Sequence, residues 1–413
     1  MPKLALNFIC KNEAHVIQKM LASARPILDL VVAVDTGSTD NTIPLIHAFG
    51  QKEGIPVFVF ERPFDNFGNS RNHALQRLRE VVGQLGWDID DVWGFNIDCD
   101  EILVIDKDFQ KSAIQKDIYY ITVRSDAESF NRQIFFHLSS PIRWEGPIHE
   151  LLRWEDPALT KDFVKDLIIA SESVGASWKK NLEEKFLHYA KLLTEYIDSG
   201  HKEFRWLFYA GESYAGAAWQ CPSATRKKEW YLLARKYYQM AMLLPAESTN
   251  EQIVLQERLG DVATGLAEDW PVVQEILLHT YAMDPRRAES IAPIIRHYID
   301  QGQWEMGYIF SSFGIRTYHG RDPYGQGVSI SEGSLYQWKL LLYHAVCAHQ
   351  TGRKQEAAAM RREIKNILRN NPDAFRLTDR VYLQQQSPLF LSIRKWRHRL
   401  QDRLGLRMAY RSD

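Results

Sequence analysis

The hydrophobic period changes once along this 413-residue chain, and that change constrains the fold more than any single motif. From residue 4 to about 150, short β-rich runs at Leu4–Cys10, Leu30–Asp35, Pro56–Glu61 and Val92–Asp98 alternate with helical patterns near Ala14–Ala24, Asn41–Phe49 and Ser70–Gly83. Strands joined by crossover helices in an α/β sheet give this alternation. Ser38 or Asp40 is placed to cap the second helix. Tyr119–Arg124 and Gln133–Leu138 are near enough in sequence to pair antiparallel, so the sheet is expected to be mixed.

After about residue 176 the period is helical throughout. Trp178, Leu182, Phe186, Tyr189, Leu193 and Tyr196 recur at three- and four-residue spacing, and similar segments follow around 201–218, 226–244, 251–267, 271–283, 287–301, 334–350 and 354–370. Breaks fall at Pro245, Pro285 and Pro372. Gly211 and Tyr214, followed by Ala234, Tyr238, Ala241 and Pro245, nearly reproduce the small/large spacing of a tetratricopeptide helix pair, with a linker longer than the roughly 34-residue repeat allows. Leu259-Gly260 through Ile276 to Pro285 is a looser second pair. The expected organisation is a Rossmann-like α/β domain with a mixed sheet over 1–176 and an all-α, tetratricopeptide-like domain over 177–413. Stacked repeats offer a concave surface to an extended partner. Buttressing the sheet domain, or forming a homodimer, is the alternative use of such helices.

Fifty-one basic against 52 acidic side chains argue against nucleic acid as the main partner. Cys10, Cys99, Cys221 and Cys347 are scattered, so neither a zinc knuckle nor a disulfide framework is expected, and a reducing compartment fits. No stretch approaches the roughly 20 apolar residues of a membrane span, so the protein is expected to be cytoplasmic. Leu389, Ile393, Trp396, Leu400 and Leu404 share one face of a C-terminal helical pattern whose other face is basic. Such a helix caps the repeats or lies on an anionic membrane surface, a peripheral contact with the inner face.

The chemistry concentrates at Asp98-Cys99-Asp100-Glu101, directly after the fourth β-run. Carboxylates withdrawn from water require a cationic partner or shift their pKa values. In an extended segment Asp98 and Asp100 point to one face. Paired hard oxygen ligands suit Mg²⁺ or Mn²⁺, whose open positions are commonly filled by substrate phosphate oxygens. A nucleotide-diphosphate substrate is therefore implied. The plainer reading is an acidic turn capping the next segment.

Four further polar clusters surround this motif: Lys11-Asn12-Glu13, Asp35-Thr36-Gly37-Ser38-Thr39-Asp40, Asn69-Ser70-Arg71-Asn72 and Trp144-Glu145-Gly146-Pro147-Ile148-His149-Glu150. Taken in order they resemble glycosyltransferase family 2 on the GT-A fold, in the branch with K-N-E after the first strand, V-D-T-G-S-T-D-N-T at the second and D-x-D-E as the metal motif. The resemblance covers roughly residues 3–150. It extends more loosely over the helices, since family 2 enzymes similar to sublancin-type peptide S-glycosyltransferases carry such repeats.

The resemblance implies an inverting transfer from a nucleotide-diphosphate sugar, a UDP-sugar favoured, to a peptide, protein or saccharide acceptor. It implies donor contacts from Lys11, Asn12, Glu13, Asp35, Arg71 and Asp98, with Asp35 at the base or ribose and Arg71 near the diphosphate. Mn²⁺ or Mg²⁺ would be held by Asp98 and Asp100, with His149 a further ligand or an acceptor-side hydrogen-bonder. Glu150 and Glu101 are the candidates to take the acceptor's proton, and Trp144 is placed to stack on a sugar. The alternative role of Asp35 is to cap the following helix; that of 144–150 is a structural turn around Gly146-Pro147. The chain departs from the family in having Asp35-Thr36 where two acids are frequent, and in lacking a histidine near Ile168–Glu172, which makes Glu172 an outside candidate. A non-catalytic scaffold that binds nucleotide on the sheet domain and a protein on the repeats is the competing function.

Overall fold

The computed structural model describes residues 1–125, 129–171, 181–246, 248–323 and 331–370. Trp178, Glu172, Pro372 and the basic C-terminal segment lie outside the described residues. Ten strands are described, β1 (Lys3–Cys10), β2 (Leu30–Asp35), β3 (Val57–Glu61), β4 (Val92–Phe95), β5 (Glu101–Ile105), β6 (Ile118–Ser125), β7 (Ser129–His137), β8 (Ile142–Glu145), β9 (Leu151–Trp154) and β10 (Lys161–Ser171). Three helices lie among them: α1 (Ile17–Ala24), α2 (Thr42–Glu53) and α3 (Phe67–Gln84).

Eight strands form one sheet in the order β3-β2-β1-β4-β7-β6-β10-β5. The first four run parallel, β7 is antiparallel to both β4 and β6, and β5 is antiparallel to β10, so the sheet is mixed as the sequence predicts. β8 and β9 form a separate antiparallel hairpin. β2 is buried at every position, which is why Leu30–Asp35 reads as an unbroken apolar run rather than an alternation. α3 covers one face with Leu75, Leu78, Val81 and Val82 against Ala5, Leu30 and Val32. The other face packs Leu4, Leu6, Phe8, Val31 and Ala33 with Ile17, Met20 and Leu21 of α1. In register, Cys10 lies beside Asp35 and Asp35 beside Glu61, so the loops after β1, β2 and β3 leave the sheet together at the strands' carboxyl ends. Open α/β sheets bind ligands along that edge.

Two expectations are corrected here. The fourth strand stops at Phe95 rather than reaching Asp98, because Glu101 turns back on Asp98 (below), so the two-residue alternation does not set Asp98 and Asp100 on one face. α3 begins at Phe67, which places Arg71 in its second turn and not at its start.

From residue 182 the described structure is helical: α4 (Leu182–Asp198), α5 (Phe204–Gln220), α6 (Ala224–Met242), α7 (Thr249–Gly265), α8 (Trp270–Met283), α9 (Ile291–Asp300), α10 (Trp304–Tyr318), α11 (Leu340–Gln350) and α12 (Lys354–Asn370). The small/large spacing has a direct cause: a Cβ at Gly211 would stand 2.4 Å from the Tyr238 ring, so α5 and α6 approach through that glycine. Gly211→Ala is expected to cost about 1–3 kcal/mol by overpacking, read as a lower urea midpoint with unchanged slope.

The chain divides into two compact units. Among the described residues, one comprises those within 1–294 together with 322–323 and 331–332, and so joins the sheet to α4–α8; the other comprises 295–321 and 333–370. In the second, Trp338, Leu341, Leu342, Ile364 and Leu368 form a core, and buried His344 bonds Ser311 and Glu356, each at 2.9 Å. α10 is not expected from the sequence. Its Gly307 and Gly314 lower helix propensity, yet they admit Cys347 and Leu340, whose atoms would lie 2.8 and 3.2 Å from an added Cβ. Among the described residues no helix is long and apolar enough to cross a membrane.

Candidate functional site

The loops after β1 and β2 are stitched together by side chains. Asp35, 1% exposed, accepts the amides of Gly37 at 2.9 Å and Ser38 at 2.7 Å on Oδ1. The Cys10 thiol lies 3.6 Å from its Oδ2 and donates to it. Burial and the Asp35 charge push that thiol well above its ordinary pKa, so it stays protonated. Asn12, at φ +57°, donates its amide to Ser38 Oγ and accepts the Thr39 amide on Oδ1, both at 2.8 Å. The Glu13 amide bonds Thr42 Oγ1 at 2.8 Å, and Lys11 is exposed. Asp40 accepts the Thr42 amide at 3.0 Å, but the N-cap position of α2 falls on Asn41 and not on Ser38 or Asp40. Asp35 and Asn12 thus hold the shape of the loops; Asp35 closes the turn after β2 and does not cap α2, whose N-cap position is Asn41.

A polar line runs from β1 to Arg71. Asn7, buried in β1, donates to the carbonyls of Val32 at 3.1 Å and Ala74 at 2.9 Å, tying α3 to the sheet. Its own carbonyl accepts from Asn96 Nδ2 at 2.8 Å. Asn96 Oδ1 receives Arg71 Nη1 at 2.6 Å, Asp98 Oδ1 receives Nη2 at 2.7 Å, and Glu150 Oε1 receives Nε. The Arg71 side chain is only 7% exposed. All three guanidinium nitrogens are therefore engaged within the protein, and Arg71 serves as a hub rather than as an open phosphate contact.

A second arginine completes the cluster. Arg132 of β7 donates to Glu101 Oε2 at 2.5 Å and approaches Asp98 Oδ2 at 3.5 Å. Glu101 Oε2 also accepts the Asp98 amide at 2.8 Å, while the Glu101 amide donates to the Asp98 carbonyl at 3.0 Å, closing the turn that ends β4. Arg71 and Arg132 thus supply cationic partners for Asp98 and Glu101. Burial works to raise the Asp98 pKa, but the two guanidinium groups outweigh it and hold the carboxyl below its usual range. Glu101, 3% exposed, is pushed up by burial and by Asp98 despite Arg132.

The remaining candidates sit on the β8–β9 connection. Gly146 adopts φ +107° and His149 φ +52°. The carbonyls of Pro147 and Gly146 accept the Phe67 and Gly68 amides at 3.0 and 3.2 Å, so the first amides of α3 are already satisfied. A Cβ on Gly68 would stand 2.3 Å from the Gly146 carbonyl, and one on Gly146 2.4 Å from the ring of fully buried Trp206 in α5. The turn is therefore gripped between α3 and α5.

His149 lies flat on Tyr209, with ring centroids 4.0 Å apart, and its carbonyl accepts Arg205 Nη2 at 2.8 Å. The enclosing protein, with Arg205 and Lys185, holds its imidazole well below the ordinary value, so the ring is neutral near pH 7. Trp144 is buried; its carbonyl accepts Asn72 Nδ2 at 2.7 Å, its amide donates to Asn72 Oδ1 at 2.8 Å, and its ring centroid lies 5.3 Å from the Arg71 guanidinium carbon. The structure thus gathers Asp98, Glu101, Glu150, Arg71 and Trp144, and sets the His149 ring apart on α5.

The family model for glycosyl transferase family 2 matches residues 8–103, a stretch that runs from β1 into β5 and contains Asp35, Arg71, Asp98, Asp100 and Glu101. Residues 8–103 are a family 2 glycosyl transferase domain. No curated protein sequence matches the chain. Among solved structures, S. aureus TarS 1-349 in complex with UDP is similar at 12% identity and a TM-score of 0.35 over 64% of this chain and 89% of that one. MamA is similar at 10% identity and 0.33 over 48% and 98%, and YrrB, described as a tetratricopeptide protein with an unusual peptide-binding site, at 14% and 0.26 over 48% and 91%.

Of the three residues that the sequence offers to a divalent ion, Asp98 and Asp100 lie in the connection between β4 and β5, and His149 does not. Among the described residues no group of three or more His, Cys, Asp or Glu side chains is arranged to hold a metal, and the stacked His149 does not join these two. Two carboxylates still fit a hard cation whose other positions are filled by water and diphosphate oxygens. Both Asp98 oxygens face guanidinium groups, the Arg132 contact being the longer.

Sequence reasoning missed Asn7, Asn96, Arg132, Arg205 and Trp206. For Asn7 a signal existed, a lone amide inside the apolar run Leu4–Cys10 that must find partners when buried. The others depend on which strand and helix lie beside the turn.

Proposed function

We propose that the protein transfers a sugar from a nucleotide-diphosphate sugar, a UDP-sugar favoured, to a peptide, protein or saccharide acceptor with inversion at the anomeric carbon. The observation that carries this reading is the attachment of Asp98 and Glu150 to the single buried guanidinium of Arg71 at the carboxyl end of the parallel strands. Such an arrangement fixes one carboxylate for the donor side and one for the acceptor side.

In this reading Lys11, Asn12, Glu13 and Asp35 shape the nucleotide end. Asp98 and Asp100 would hold Mn²⁺ or Mg²⁺, which when bound neutralises charge on the departing diphosphate. Glu150 accepts the acceptor's proton as the acceptor atom attacks the anomeric carbon; the new bond forms as the bond to the diphosphate oxygen breaks. Glu101 is too enclosed for that task and supports Asp98 instead. Arg71 is a positioning residue that sets both carboxylates, and Trp144 packs beneath it. Residues 1–176 carry the transfer, and 177–413 present the acceptor.

The test is calorimetry of the full chain with UDP- and GDP-sugars in the presence and absence of Mn²⁺, together with donor hydrolysis. Asp100→Ala is expected to abolish the Mn²⁺-dependent gain in nucleotide affinity, a loss of about tenfold or more, without lowering the melting temperature. If no donor is turned over and Asp100→Ala changes nothing, the enzyme reading fails and a nucleotide-binding scaffold replaces it.

A further inference from the structure

A cavity of about 450 Å³ borders the Gly146-Pro147 turn, lined by Asn66, Asn69, Trp144, Tyr196, His201 and Glu203 among others. Its volume falls within the roughly 300–1,000 Å³ of small-molecule sites. We infer that this cavity binds a neutral pyranose unit of the acceptor, which makes the acceptor a saccharide or a glycan-bearing molecule; the acceptor role rests on the transfer reading above.

The wall chemistry selects the ligand. Tyr196 of α4 and His201 stack face to face at 3.8 Å between ring centroids with planes 9° apart, so each covers one face of the other and the outer faces of the pair are left for the C–H face of a sugar ring to pack on. Tyr196 is braced edge-on by Trp206, 5.5 Å between centroids. Burial, with Glu145 and Glu203 nearby, pushes the Tyr196 phenol up, so its hydroxyl remains a donor at neutral pH. Around it runs a ladder of ion pairs, Glu155–Arg143 at 2.9 Å, Arg143–Glu145 at 3.2 Å, Glu145–Arg153 at 3.7 Å and Arg153–Glu203 at 3.1 Å. The ladder is internally matched except for one excess carboxylate. An anion therefore meets repulsion, while a cation finds its carboxylates already paired.

Carboxylates that accept, guanidinium groups and amides that donate, and a phenol that does both suit a neutral ligand carrying many hydroxyl groups. The position suits an acceptor: Trp144 contributes to this cavity and also lies over Arg71, and the turn that walls the cavity carries Glu150 four residues on.

The experiment uses the full chain and the methyl glycosides of glucose, galactose, mannose and N-acetylglucosamine, with binding read by saturation-transfer NMR and tryptophan fluorescence. At least one glycoside is expected to bind, with affinity reduced about tenfold or more by His201→Ala and by Glu203→Gln. UDP affinity should be the same in both variants, and the accessible His201 gives a change that does not disturb a core. Absence of binding by all four glycosides, or binding indifferent to both substitutions, overturns the inference. UDP-sugar hydrolysis by the same preparations separates the two readings: hydrolysis without glycoside binding sinks the cavity assignment alone, whereas variant-sensitive binding without hydrolysis upholds the saccharide site and sinks the transfer reading.

Discussion

Arg71→Met is expected to destabilise the protein by roughly 3 kcal/mol, because it leaves Glu150, whose side chain is only 10% exposed, without the guanidinium that compensates its burial, and leaves the more exposed Asp98 with the longer Arg132 contact alone. Transfer should fall by about 100-fold or more, since both carboxylates lose their fixed positions. Chemical denaturation checks the first effect and single-turnover rates on surviving folded protein the second. Arg71→Lys keeps a charge but cannot span three acceptors, so it should recover part of the stability and little of the rate. The double variant Arg71→Met with Glu150→Gln removes a charge from each side and is expected to be more stable than Arg71→Met alone. Equal stability of the two would mean that Glu150 does not depend on Arg71.

Gly146→Ala should produce the second large loss, from two separate causes. At φ +107° an alanine is strained, a cost of about 1–3 kcal/mol; its Cβ would also stand 2.4 Å from the Trp206 ring, a further ~1–3 kcal/mol from overpacking. The two causes can be divided by pairing Gly146→Ala with Trp206→Leu, which relieves the ring contact but not the dihedral. Thermal melts of the four proteins should show partial rescue against the Trp206→Leu background. Full rescue would remove backbone strain from the account, and no rescue would remove the ring contact.

The strands and most helices were legible because one-sided or complete burial writes a period into the sequence. β1, β2 and β3 begin and end within a residue of their expected bounds. Where burial is set by a distant segment, that legibility fails. β4 ends early because Glu101 bonds back to Asp98, and α10 was hidden because its glycines serve close approach by Cys347 and Leu340. The cluster of Asp98, Glu101, Arg71 and Glu150 was legible as a set, since ordered motifs place polar groups after successive strands. Its wiring was not. No local pattern shows that Arg132, on a strand paired to β4, would take the place of a free cation beside Asp98 and Glu101.

Gly146 and Trp206 bear on how the chain can be divided. An enzyme whose acceptor-presenting helices were a separable appendage would tolerate exchange of those helices for another set. Here the indole that fills the space above Gly146 comes from the helical side, and the sheet shares one compact unit with α4–α8. A fragment ending after β10 would expose the underside of the very turn that carries Glu150. Recombination therefore has its natural seam beyond α8, where it leaves this turn and the Tyr196–His201 cavity intact, and a chimera joined near residue 176 would inherit a loosened Glu150 along with its new partner.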